Sequence, residues 1–115
     1  MNYFKQCVDT FEFRAKRINN DYLVYGLLSF YKGELVIITE DKNTYHIKPE
    51  SVQQYIRLKD KNNNKIFEGD KIKNIEGKVF IVVFSNVKGL TLQDVNSTFE
   101  YINGSSFWID ECEIV

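Results

Sequence analysis

Apolar and polar positions alternate along much of this chain with a period of two. Between Thr10 and Ile18, Phe11, Phe13 and Ala15 alternate with Glu12, Arg14 and Lys16. That spacing predicts a strand with one apolar face and one charged face. Asp21 to Tyr31 (DYLVYGLLSFY) then runs nearly apolar up to Lys32-Gly33, and Glu34 to Glu40 (ELVIITE) follows at once. Two strands joined by a Lys-Gly hairpin turn are expected, with Gly33 free to take positive φ. Asp41-Lys42-Asn43 predicts a further turn before the strand TYHIK, which Pro49-Glu50-Ser51 ends. A single helical turn is expected within Val52 to Leu58, before Tyr55 and Leu58 rejoin the sheet.

Downstream, KVFIVVFS (78–85) is so continuously apolar that burial of both its faces is predicted. Three shorter strands follow, at Leu90 to Leu92, Thr98 to Ile102 and Ser106 to Ile109, with Asn103-Gly104 as a hairpin signal between the last two. No long segment carries helical spacing. The fold class read from this pattern is all-β or nearly so, with small SH3-like barrel elements. One domain over residues 1–115 is expected, and two β lobes sharing a seam near 56–66 stay open as its internal arrangement.

The stretch LKDKNNNKIFEGDKIK (58–73) poses the main question. It reads either as a charged binding loop or as a turn that sets register between strands. Asn and Asp tolerate the left-handed region and bond their own main chain, so Asp60 to Asn64 suits a tight turn. Ile66, Phe67 and Ile72 then point to the core, Gly69 permits a reversal, Asp70 can bond nearby amides, and Lys71 and Lys73 face water. Glu76-Gly77 closes the element. Gly69-Asp70-Lys71-Ile72, a glycine-containing turn and a long apolar strand make a succession that small SH3-like barrels use.

Charge narrows the function classes. The chain holds 15 basic and 16 acidic residues, so it is no polycation that would coat nucleic acid indiscriminately. The distribution is uneven: residues 58–75 hold five basic and three acidic side chains, and residues 76–115 hold two and six. Cys7 and Cys112 lie near opposite ends without metal-ligand spacing, which suits reduced thiols in a cytoplasm. Met1 to Lys16 lacks the apolar run of a secretory signal, and no stretch approaches the ~18 apolar residues of a membrane span.

Candidate chemistry is sparse. His46, the lone histidine, sits between Tyr45 and Ile47 in an ordinary strand pattern. General-base work would require a neighbouring nucleophile or carboxylate that sequence spacing does not supply. Asp110, Glu111 and Glu113 lack the spacing of a calcium loop and read as a solvated edge. Cys112 has no visible base. No catalytic residue, metal ligand or cofactor site is expected. Arg57, Lys59, Lys61 and Lys65 form the candidate binding surface, weighed against the plainer reading of a solvated edge.

The sequence resembles the YopX family of small bacteriophage and prophage proteins. The resemblance rests on Phe13-Arg14-Ala15, Val24-Tyr25-Gly26, Ile37 to Asp41, Gln54-Tyr55, Leu58 to Asn62 and Lys65 to Asp70, about the first two thirds of the chain. The family usually has Thr-Gly where Ile56-Arg57 stands, often has Gly where Asn63 or Asn64 stands, and ends differently after about Val87. The resemblance implies a mostly β protein of an infected or lysogenic bacterial cytoplasm, with self-association as a homo-oligomer, and carries no established reaction. The function expected is therefore a non-enzymatic phage or prophage accessory module that binds a protein partner. The alternatives are a nucleic-acid-binding module using residues 57–73, and an inhibitor of a host nucleic-acid enzyme whose acidic tail mimics phosphate.

Overall fold

A computed structural model describes residues 11–85, 89–96, 101–103 and 109–115. The all-β expectation holds: the described residues form two antiparallel sheets and two single-turn 3-10 helices. The chain makes two compact units, Met1–Tyr55 and Ile56–Val115.

In the first unit, β1 (Phe13–Lys16), β2 (Leu23–Tyr31), β3 (Glu34–Ile38), β4 (Thr44–His46) and the start of β5 (Gln53–Lys59) lie in the order β4-β3-β2-β1-β5. Tyr31 pairs with Glu34 across the predicted Lys32-Gly33 turn, and both turn residues take positive φ, 52° and 82°. That is the two-residue turn whose twist matches the strands it joins. Gly26 opposes Phe13 on β1, and a Cβ there would stand 2.1 Å from the Ile38 carbonyl oxygen. Only glycine lets the β2 and β3 backbones approach so closely. Ala15, Ile37 and Ile47 form the centre of this core, with Phe13, Val24, Leu28, Leu35 and Val52 packed on them.

Two local expectations change here. Phe11 precedes β1 and is 55% exposed, while Glu12 is buried and its carbonyl accepts the Tyr55 amide at 2.8 Å; strand pairing begins at Phe13, and the contrast between a buried and an exposed face is clear only at Ala15 and Lys16. The helical turn lies at Pro49–Ser51 instead of within Val52 to Leu58, so β5 starts at Gln53. Proline suits the first position of such a turn because its missing N–H would have no partner there. Ser51 Oγ donates to the Lys48 carbonyl at 2.7 Å and accepts the Lys16 amide at 2.8 Å, which ties the turn to β1.

In the second unit, the rest of β5 pairs with β6 (Lys65–Phe67), and a separate sheet runs β10-β9-β8-β7-β11. Its strands are β7 (Lys71–Lys73), β8 (Val79–Ser85), β9 (Gly89–Asp94), β10 (Tyr101–Asn103) and β11 (Glu113–Ile114). Ile66, Ile72, Phe80, Val82, Leu92 and Cys112 are its fully buried centre, each large apolar side chain contributing about 1.5–3 kcal/mol by leaving water. Within β8, Phe80 and Val82 are buried whereas Val79, Ile81 and Val83 are half-buried. From Val79 to Val83 one face is thus buried and the other half-buried, short of the two buried faces expected. Asn103 lies on β10, while Gly104, and so the predicted Asn-Gly hairpin, falls outside the described residues together with Thr98 to Glu100 and Ser106 to Trp108. Ile109 belongs to the second 3-10 turn, Ile109–Glu111, not to a strand.

An isolated bridge joins Arg17 to Ile47, and among the described residues neither sheet closes on itself, so the barrel elements expected from sequence are not seen as a closed barrel there. No helix among the described residues is long and apolar enough to cross a membrane.

Candidate functional site

The stretch from Leu58 to Lys73 folds as a set of side-chain-capped turns. Asp60 is buried, and its Oδ1 accepts the backbone amides of Asn62 at 2.9 Å and Asn64 at 2.8 Å. Its Oδ2 accepts the Ile114 amide at 3.1 Å, and the Lys61 amide donates to the Cys112 carbonyl at 2.8 Å. The loop therefore holds the C-terminal segment by its backbone. Burial alone raises the Asp60 carboxyl, but the amides of Asn64, Ile114 and Asn62 outweigh it and keep the group below the usual carboxylate range. Asn63 stands at φ 66° and Gly69 at φ 90°, and Asp70 Oδ2 accepts the Phe67 amide at 2.8 Å. The turn reading of this stretch is the one the geometry follows.

The four candidate cations are not equivalent. Arg57 and Lys59 are exposed on β5, Lys61 is exposed on the loop, and Lys65 is half-buried on β6. Glu113 lies 3.7 Å from Lys61 Nζ and 3.5 Å from Lys73 Nζ. Part of the basic middle segment is thus countered by the acidic tail. Lys73 is half-buried beside that carboxylate, a departure from the fully solvated position expected of it. Asp110 and Glu111 are exposed, as a solvated edge requires, whereas Glu113 is committed to these pairs and to β11. Sequence separation hid this juxtaposition, because nothing local links residues 61 and 73 to 113.

Among reactive groups, Cys112 is buried and its thiol is pushed up by that burial and by the Glu111 and Asp110 carboxylates. A thiol so placed is a poor nucleophile. His46 is different from its sequence reading: its Nδ1 lies 2.8 Å from Glu34 Oε2, a carboxylate that spacing did not reveal. The pairing of Val36 with His46 and of Tyr31 with Glu34 brings the two together at one end of the first-unit sheet. Tyr31 meets the His46 ring edge-on, at 6.4 Å between centroids. These groups can orient one another; no metal-binding group of three or more His, Cys, Asp or Glu occurs among the described residues.

Beside this pair the first unit opens a groove of about 380 Å³ whose apolar lining includes Ile18, Phe30, Leu35, Ile47 and Pro49. Phe30 is 72% exposed and Ile18 56% exposed, so the rim presents large apolar groups to water. The strand pattern alone predicts neither exposure. Arg17 stacks over Tyr45, 4.5 Å from the ring centre, along the continuation of the same edge.

Residues 12–115 match a family profile described as YopX protein. The match continues through the C-terminal segment, beyond the two thirds that the motif resemblance covered. No curated protein matches the chain.

Proposed function

Because the chain belongs to the YopX family, we propose that it is a non-enzymatic binding module whose partner is a protein, working in the cytoplasm of a bacterium that carries a phage or prophage. The observation that carries this reading is the open apolar groove of the first unit, with Phe30 and Ile18 raised on its rim. Large apolar groups kept in water on a sheet end are a recurrent mark of protein contact sites. The His46–Glu34 pair and the Arg17–Tyr45 stack supply polar groups beside that apolar surface. Nucleic-acid binding through residues 57–73 draws less support, because Glu113 faces both Lys61 and Lys73.

The test is capture of a host or phage protein on immobilised wild-type chain, followed by reconstitution with that purified partner. The double variant Phe30→Glu, Ile18→Lys should bind it at least about tenfold more weakly. Unchanged affinity in the double variant removes the groove from the reading. Reproducible turnover of a substrate by the pure protein removes the non-enzymatic reading itself.

A further inference from the structure

Arg57 is the one non-glycine residue inside a described strand with positive φ, at 64°. The other non-glycine residues in that region, Asp21, Lys32, Lys42 and Asn63, lie in turns or loops. A left-handed residue inside a strand departs from the extended backbone on which regular alternation of side chains depends. The consequence is visible in the burial of β5: Tyr55 and Ile56 are both buried, and Arg57, Leu58 and Lys59 are all exposed. A half-buried strand would instead alternate. Three consecutive side chains, cationic, apolar and cationic, therefore stand in solvent, with Leu58 39% exposed.

We propose that Arg57-Leu58-Lys59 is a contact ridge for an acidic protein surface, its two cations taking carboxylates that flank an apolar side chain seated on Leu58. This inference rests on the protein-partner reading above but concerns a different surface. Neither Arg57 nor Lys59 has an acidic partner among the described residues, in contrast to Lys61. Residues 56–115 hold eight basic and nine acidic side chains, so the ridge has two local cations and no extended basic field of the kind that tracks a phosphate backbone. Duplex DNA presents one charge per about 1.7 Å and is held by runs of phosphate contacts. Two free cations around a leucine match a short acidic-apolar-acidic segment better, because a leucine gains nothing from phosphate. A non-glycine residue held at positive φ within a strand is the kind of backbone outlier that clusters at functional sites.

The experiment is fluorescence anisotropy of the full chain with two probes of equal charge: a labelled peptide of alternating Glu and Leu, and a labelled single-stranded DNA. The peptide should bind saturably, and Arg57→Gly and Lys59→Glu should each weaken it at least about tenfold. Arg57→Gly removes the guanidinium while suiting the observed φ, so lost binding cannot be ascribed to a damaged fold, and Lys59→Glu tests the ridge at a position with no special backbone. Peptide binding lost in Phe30→Glu but kept in both ridge variants would place the peptide on the groove and overturn this proposal while leaving the groove reading standing. Absence of saturable peptide binding, unchanged affinity in both ridge variants, or tighter binding of the DNA would each overturn the proposal.

Discussion

The carboxylate of Asp60 accepts the backbone amide of Ile114 at 3.1 Å, across 54 positions of sequence. The same side chain caps its own loop through Asn62 and Asn64, so one buried acid both shapes a turn and anchors the last strand. Asp60→Ala strands three amides at once and is expected to lower stability by more than about 2 kcal/mol, since hydrogen bonds to a charged acceptor contribute about 1.5–3 kcal/mol each. Urea unfolding reads the change directly, and a loss below about 0.5 kcal/mol would show that the clasp is idle.

The same contact predicts an acid dependence. Asp60 is held below its ordinary value in the folded chain, so its contribution is fully present above the unfolded carboxylate pKa of about 3.9 and disappears as pH falls through the lower folded value. Wild-type stability should therefore drop below about pH 4 more steeply than that of Asp60→Asn, which has no proton to take up. Parallel pH profiles for the two proteins would refute this assignment.

Gly26→Ala should be among the costliest small substitutions in the first unit. The added methyl would meet the Ile38 carbonyl oxygen at 2.1 Å, and backbone rather than a flexible side chain would have to yield. A loss of at least about 2 kcal/mol is expected, in the range of overpacked cores. A melting temperature equal to wild type would mean that β2 and β3 separate freely.

Opposite signs are expected at two positive-φ sites. Gly69, at φ 90°, tolerates no β-branched side chain, and Gly69→Val should cost more than about 1 kcal/mol. Arg57→Gly relieves a left-handed strain of about 1–2 kcal/mol while adding roughly 0.5–1 kcal/mol of unfolded-chain entropy, so stability should stay level or rise by up to about 1.5 kcal/mol. Chemical denaturation of the two variants side by side checks both signs.

Cys112 should resist alkylation at neutral pH in the folded protein, because burial and the Glu111 and Asp110 carboxylates disfavour its thiolate. In a Cys7→Ser background, rapid labelling without denaturant would contradict that placement, and labelling that tracks unfolding would support it.

How much of this could be read before folding depended on the range of the interaction. Lys32-Gly33, Asp41 to Asn43, Asp60 to Asn64 and Gly69-Asp70 were readable because their turns are made by residues a few positions apart. Ile66, Phe67 and Ile72 were readable as buried because the turns on either side set their phase. The YopX motif was also readable, and its usual glycine at position 57 acquires a reason in the positive φ that Arg57 adopts there. The pairing of Glu34 with His46 was not readable, nor was the reach of Glu113 to Lys61 and Lys73, since strand register and the return of the tail decide both. The exposure of Phe30 and Ile18 also escaped the pattern, because hydrophobicity says that a side chain favours burial and not whether the sheet extends far enough to cover it. Local sequence thus determined the turns, the strand faces and most of the core, as steric and hydrogen-bonding preferences act over a few residues. Tertiary structure alone decided which charges cancel, which stay exposed without an acidic neighbour, and where the apolar surface stays open, because those depend on chain segments brought together over tens of residues.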